Sequence, residues 1–134
     1  MRRYFADTWF FLAILDRRDS HHARARRLSL TISDALLVTH DAVLSEVLAH
    51  FADDGVYSRA RTVDAVRYAL RTYDVVASDR TLFLAALDRY AARPDKEYSL
   101  VDCMSMIVME DRGIRHVLTN DHHFSQAGFT LVNE

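Results

Sequence analysis

The chain has 134 residues, enough for one domain with a sizeable core. Half of them are hydrophobic and 27% charged, with only 3 Gly and 1 Pro, which excludes a linker-like, collagen-like or bulk-disordered protein. A net charge of −2 argues against coating nucleic acid by charge alone, although 16 of the 17 basic residues are Arg and only Lys96 is Lys.

In chain order, Arg3–Ala6 reads as a short strand ending on Asp7. From Thr8, the residues Trp9, Phe10, Leu12, Ala13 and Ile14 predict a helix buried on most sides. The apolar run Trp9–Leu15 is closed by Asp16-Arg17-Arg18, too short to span a membrane. Asp7 also interrupts the apolar run that a signal peptide needs. Ser20 is the expected cap of a second helix reaching about Leu30, with Arg24, Arg26 and Arg27 outward. Ala35–Thr39 suits a buried strand, and Asp41 is placed to cap a helix with the stripe Val43, Leu44, Val47, Leu48 and Phe51.

Beyond the Asp53-Asp54-Gly55 turn, Ser58 is the expected cap of a long helix. Val63, Val66, Leu70 and Tyr73 should face inward and Arg59, Arg67 and Arg71 outward. Val75–Ala77 predicts a strand, Leu82–Tyr90 a helix and Arg93–Lys96 a loop. Ser99 then caps an apolar helix from Leu100 to about Arg112, closed by Gly113. His116–Thr119 is a strand, His122–Ala127 a short helix before Gly128, and Phe129–Val132 a last strand. Short strands alternating with helices predict a single α/β domain over residues 1–134, with a short, mostly parallel sheet covered on both faces. Ligands bind such sheets beyond the carboxyl ends of the strands, where the strand order reverses.

Four carboxylates stand out by context. Asp7 and Asp121 follow strands, while Glu46 and Asp102 sit one turn into apolar helices. Each has an ordinary structural use. Asp7 and Asp121 are placed as N-caps, Ser99 and Asp102 are spaced as a capping box, and Glu46 is four residues from His50. Taken together they mean more, because helix starts in a doubly wound sheet converge on one edge. Clustered carboxylates repel unless cations neutralise them, and oxygen-only sets suit Mg²⁺ or Mn²⁺. Ions held this way serve phosphoryl chemistry.

The stretches Tyr4–Thr8, Leu44–Val47, Tyr98–Cys103 and Leu118–Phe124 resemble the acidic motifs of PIN-domain ribonucleases, closest to the VapC-like toxins of toxin–antitoxin pairs. The resemblance covers nearly the whole chain. It implies a three-layer α/β/α sandwich and a Mg²⁺- or Mn²⁺-dependent endoribonuclease. Asp7 and Asp102 would ligate metal directly, Asp121 would lie close, Glu46 would act through water, and Thr119 would support the cluster. It further implies an RNA substrate, a cognate antitoxin laying a helix into an apolar groove, and a homodimer to which exposed aromatics such as Tyr57 and Tyr68 would contribute. Neither Asn120 nor His122 and His123 receive a role from it.

Other features carry less. Adjacent His21-His22 and His122-His123 lack the spacing of a structural zinc site, and the lone Cys103 reads as a packed thiol in a cytoplasmic protein. Trp9 reads as core. Two readings stay open beside the ribonuclease: a non-catalytic interaction module whose acids only cap helices, and a flap-type DNA nuclease on the same fold.

Overall fold

The computed structural model describes residues 1–134. The elements run β1 (Arg3–Ala6), α1 (Thr8–Leu15), α2 (His22–Thr31), β2 (Leu36–His40), α3 (Asp41–His50) and α4 (Val56–Thr72). They continue with β3 (Asp74–Val76), α5 (Arg80–Ala92), α6 (Leu100–Arg112), β4 (His116–Leu118), α7 (His122–Gln126) and β5 (Thr130–Leu131). The five strands form one sheet in the order β3-β2-β1-β4-β5, and every pairing is parallel. Parallel neighbours need crossovers, and right-handed ones place elements moving outward from β1 on one face and the return on the other. Accordingly α1 packs on α2 and α3, and α3 on α4, whereas α6 packs on α5 and α7. The result is the three-layer α/β/α sandwich.

The core lies between these layers. Phe5, Val38, Val117 and Leu118 from the strands are sealed, as are Val43, Met106, Met109 and Phe124 from the helices. Cys103 is fully buried, as a packed thiol should be. The sheet's central strand, β1, pairs with β2 on one side and β4 on the other, so the order reverses at the β1–β4 seam. Asp7 follows β1 there, and its backbone N–H extends the seam to the Leu118 carbonyl at 3.3 Å. On the other side Thr39 donates its hydroxyl to the Ala6 carbonyl at 2.9 Å, from a fully buried position.

Several local expectations are corrected, each by a competing hydrogen bond. Ser20 does not cap α2: Asp16 accepts from Arg18 N–H at 2.9 Å and Asp19 from His21 N–H at 2.8 Å. These bonds hold a turn that delays the helix to His22. Asp41 is the first residue of α3 rather than its cap, and its carboxylate accepts from Ser78 N–H at 3.3 Å. Ser58 lies inside α4, which starts at Val56 because Gly55, at φ +96°, makes the turn that a side chain would resist. Along α4 Thr62 and Ala69 are buried while Leu70 is 54% exposed, so the inward stripe is displaced from the one expected. Asp79 caps α5 by accepting from Leu82 N–H at 2.9 Å, which starts that helix two residues early. β3 begins at Asp74, whose carboxylate pairs with Arg112 at 3.1 Å. The expectations for α6 hold at both ends, with a full capping box at Ser99 and Gly113 in the left-handed region at φ +65°.

His40 closes β2 from a fully buried position. Its Nε2 lies 2.9 Å from Ser105 Oγ on α6 and its Nδ1 lies 3.3 Å from Ser78 Oγ, tying strand, helix and loop together. Burial lowers its pKa from the ordinary 6.5 to about 4. Between those values the unfolded chain binds a proton that the folded chain declines, so this contribution to stability is present above pH 6.5 and lost as pH falls to 4. Replacing His40→Gln costs stability at neutral pH, and that cost should shrink by about 3 kcal/mol between pH 7 and pH 4. Denaturant titrations of both proteins across this range check it, and a cost independent of pH would refute it.

Candidate active site

The carboxyl edge of the sheet opens into a cleft of about 560 Å³ whose lining includes all four predicted acids: Asp7, Glu46, Asp102 and Asp121. Asp7 arrives at the end of β1 and is only 8% exposed. No backbone N–H of α1 is capped by its side chain in the usual way; instead its Oδ2 accepts the Thr119 hydroxyl at 2.7 Å. That same hydroxyl oxygen accepts from Asp121 N–H at 3.2 Å. Thr119, fully buried at the end of β4, thus joins the carboxylate after β1 to the backbone of the acid after β4. Asn133 steadies the loop by donating to the Thr119 carbonyl at 3.3 Å.

Burial pushes the Asp7 carboxyl from its ordinary 3.8 up to about 7. The Thr119 hydroxyl and the Thr8 backbone oppose this by favouring the anion, while the charges of Asp102 and Glu46 add to it. Glu46 reaches the cleft from the exposed side of α3 and accepts the Thr8 hydroxyl at 2.6 Å. The expected pairing with His50 does not form; that ring packs edge-on against Phe51.

Asp102 and Asp121 serve their helices and the cleft at once. Asp102 Oδ2 accepts from Ser99 N–H at 3.0 Å, and Asp102 N–H donates back to Ser99 Oγ at 3.0 Å. Asp121 caps α7 by accepting from His123 N–H at 2.9 Å. Both carboxylates converge on the His123 imidazole, whose Nδ1 lies 3.2 Å from Asp102 Oδ2 and 3.2 Å from Asp121 Oδ1. Asp102, Asp121 and His123 therefore offer three ligand atoms all within 4.8 Å of one another. Asp7 and Glu46 face the same cleft from outside this tight group.

Sequence reasoning missed His123 because adjacent histidines point to different sides of a helix, and nothing in spacing says which one meets the acids. The structure turns His123 inward and leaves His122 exposed. Trp9, expected in the core, is half-buried and forms part of the cleft wall, as do Glu97 and Asn120. None of the residues lining the cleft is Arg or Lys. An oxygen-rich donor set beside a single imidazole fits a hard divalent cation, and its acids are otherwise uncompensated.

Comparison with known proteins agrees with this geometry. The PIN domain profile matches residues 4–130. The 23S rRNA-specific endonuclease VapC20 of Mycobacterium tuberculosis is 30% identical over 130 residues, which is 96% of this chain and 96% of that protein. The crystal structure of the Mycobacterium tuberculosis VapC20, described as a sarcin–ricin loop cleaving toxin, superposes with a TM-score of 0.86 at 27% identity. That match covers 98% of this chain and 99% of the other. FitAcB from Neisseria gonorrhoeae shares the fold, with a TM-score of 0.64 at 15% identity over 97% of this chain and 96% of its own. With its parallel sheet, its acids gathered at the carboxyl edge and these VapC relatives, the chain belongs to the PIN-domain family.

Proposed function

We propose that this single domain is a Mg²⁺- or Mn²⁺-dependent endoribonuclease whose working residues are Asp7, Glu46, Asp102 and Asp121, supported by Thr119. The observation that carries the reading is the convergence of all four acids on one cleft that holds no Arg or Lys. Such a cleft would repel RNA phosphate on its own. A divalent ion bound there supplies charge neutralisation at the phosphate and an acidified water. Asp102 and Asp121 offer carboxylate oxygens in the cleft that would hold it, and Asp7 would complete the set from the buried side. Glu46, at the open rim, orients water. Thr119 fixes the rotamer of Asp7 through its 2.7 Å hydrogen bond, so that this acid enters the site in one orientation.

The partners follow from the family and from the surface. A hollow of about 390 Å³ between α1, α2 and α4, lined by Phe10, Ile14, Ile32, Leu36 and Tyr73 among others, is the proposed seat for an apolar helix of a cognate antitoxin. The exposed Val56 and Tyr57 at the start of α4 favour a homodimer, and sedimentation showing only monomer at high concentration would exclude it. No helix is long and apolar enough to cross a membrane, and the proposed place of action is the cytoplasm, where the RNA is. Ribosomal RNA is the first substrate to test, because VapC20 is named for cleaving 23S rRNA.

Cleavage of labelled ribosomal RNA and of a matched DNA, with Mg²⁺, Mn²⁺ or EDTA, tests the activity. Ion-dependent cuts in RNA should disappear in Asp102→Asn, with a loss of about a hundredfold or more in rate. Cutting that survives EDTA or the substitution would overturn the assignment, and cutting of the DNA alone would favour the DNA nuclease.

Asp7 gives an independent readout from stability. Its carboxyl, raised to about 7, stays protonated in the folded chain while the unfolded chain ionises above 3.8. Its contribution is therefore present below pH 3.8 and lost as pH rises through 7. In EDTA, Asp7→Asn should exceed the parent in stability by up to about 4 kcal/mol above pH 7, with the gain vanishing near pH 4. Adding Mn²⁺ should narrow the gap, since the ion stabilises the parent, with its full ligand set, more than the variant. Thermal unfolding across pH 4–8 reads all three effects, and a variant destabilised equally at every pH would contradict the burial argument.

A further inference from the structure

Four acids account for the ion in the proposed reading, yet the tightest cluster in the cleft contains an imidazole. His123 Nδ1 stands 3.2 Å from a carboxylate oxygen of Asp102 and 3.2 Å from one of Asp121. A neutral imidazole carries at most one proton on Nδ1, so it cannot donate a linear hydrogen bond to two oxygens on separate side chains. Two equal separations of this size also match the edge of an octahedron, which is roughly 3 Å for bonds of about 2.0–2.1 Å. Three donors within 4.8 Å of one another, with the nitrogen 3.2 Å from each oxygen, are close enough to share one cation.

The ring is held in that orientation from several sides. Its own backbone N–H is tied to Asp121 Oδ1 at 2.9 Å. The buried Tyr98 ring meets it edge-on, with centroids 5.7 Å apart and planes at 71°. The next residue, Phe124, is fully buried and anchors α7 in the core. The ring itself remains about a quarter exposed, at 26%, so the nitrogen is both fixed and reachable from the cleft.

We propose that His123 is a direct metal ligand through Nδ1, and that this nitrogen makes the site prefer Mn²⁺ over Mg²⁺. The inference rests on the proposed metal-dependent reading and specifies which ion that reading implies. Mg²⁺ favours all-oxygen surroundings and sheds water reluctantly, whereas imidazole strengthens binding of the later divalent ions relative to it. Asp102 and Asp121 contribute the oxygens beside the nitrogen. Their own hydrogen bonds, from Ser99 N–H and His123 N–H, orient those oxygens as outer partners orient metal ligands.

The test is pulsed electron paramagnetic resonance of Mn²⁺ bound to the full chain, beside calorimetric titrations with Mn²⁺ and Mg²⁺. A nitrogen coupling to bound Mn²⁺ is expected, changing to the ¹⁵N pattern when histidine is isotopically labelled. His123→Asn should abolish the coupling and weaken Mn²⁺ at least about tenfold, with Mg²⁺ changed by less than about threefold. Mn²⁺ that binds the parent without nitrogen coupling would overturn the proposal and leave the metal-dependent nuclease standing. Coupling that persists in His123→Asn, or equal losses for both ions, would overturn it as well. Failure of either ion to bind the parent would bring down the metal-dependent reading itself. If His123→Asn fails to fold, His123→Gln takes its place, and a parent spectrum without nitrogen coupling refutes the proposal on its own.

Discussion

A carboxyl group that is 8% exposed, set at the one seam where the strand order reverses, gives the carboxyl edge its character. Asp7 cannot be moved out of the sheet, because β1 is the central strand and its backbone bonds continue past Ala6 into Leu118. It cannot easily ionise there either, because desolvation outweighs the hydrogen bonds that favour the anion. A hydrophobic residue at this position would serve folding better. The carboxylate is thus a local conflict between stability and chemistry, of the kind that proteins keep at functional sites.

The other acids resolve the same conflict differently. Asp102 and Asp121 each occupy a helix start, where orphan N–H groups welcome a negative charge. The capping bonds at 3.0 Å and 2.9 Å stabilise their helices and also fix the direction in which each carboxylate points. Structural capping and metal binding are therefore not competing explanations for these residues. A cap uses only part of a carboxylate's acceptor capacity, and the remainder faces the cleft. An interaction module that used acids only as caps would have no reason to bring two of them to one imidazole.

Much of this was legible in the sequence. The α6 signature, with Ser99 and Asp102 at one end and Gly113 at the other, survived intact because capping is local chemistry. The strands were found to within a residue or two, since short apolar runs between helices have few alternatives in a parallel sheet. Where the reading failed, at Ser20, Asp41 and Ser58, a nearby side chain or glycine offered the turn a better solution, and no pattern of single residues ranks such competitors. The face presented by His123 and the place of Trp9 on the cleft wall depend on tertiary packing, which periodicity does not encode. The acids could be singled out and their shared edge expected, but not their arrangement within it: Asp102 and Asp121 gather tightly with His123, while Asp7 and Glu46 are held by threonines.

The distribution of positive charge completes the picture. The chain carries 17 basic residues, yet none lines the acid cleft. Three of the arginines, Arg17, Arg26 and Arg61, instead surround a depression at the C-terminal end of α1, opposite the end from which Asp7 leads. RNA approaching the acids therefore meets unscreened carboxylates unless a cation is already in place. Under the proposed reading, ion binding would then precede productive RNA binding, and the divalent ion would be part of substrate recognition as well as of bond cleavage. In such an arrangement removing the ion would weaken RNA binding and turnover together, because no Arg or Lys lines the cleft and the positive charge offered to a phosphate there would be that of the ion its acids hold.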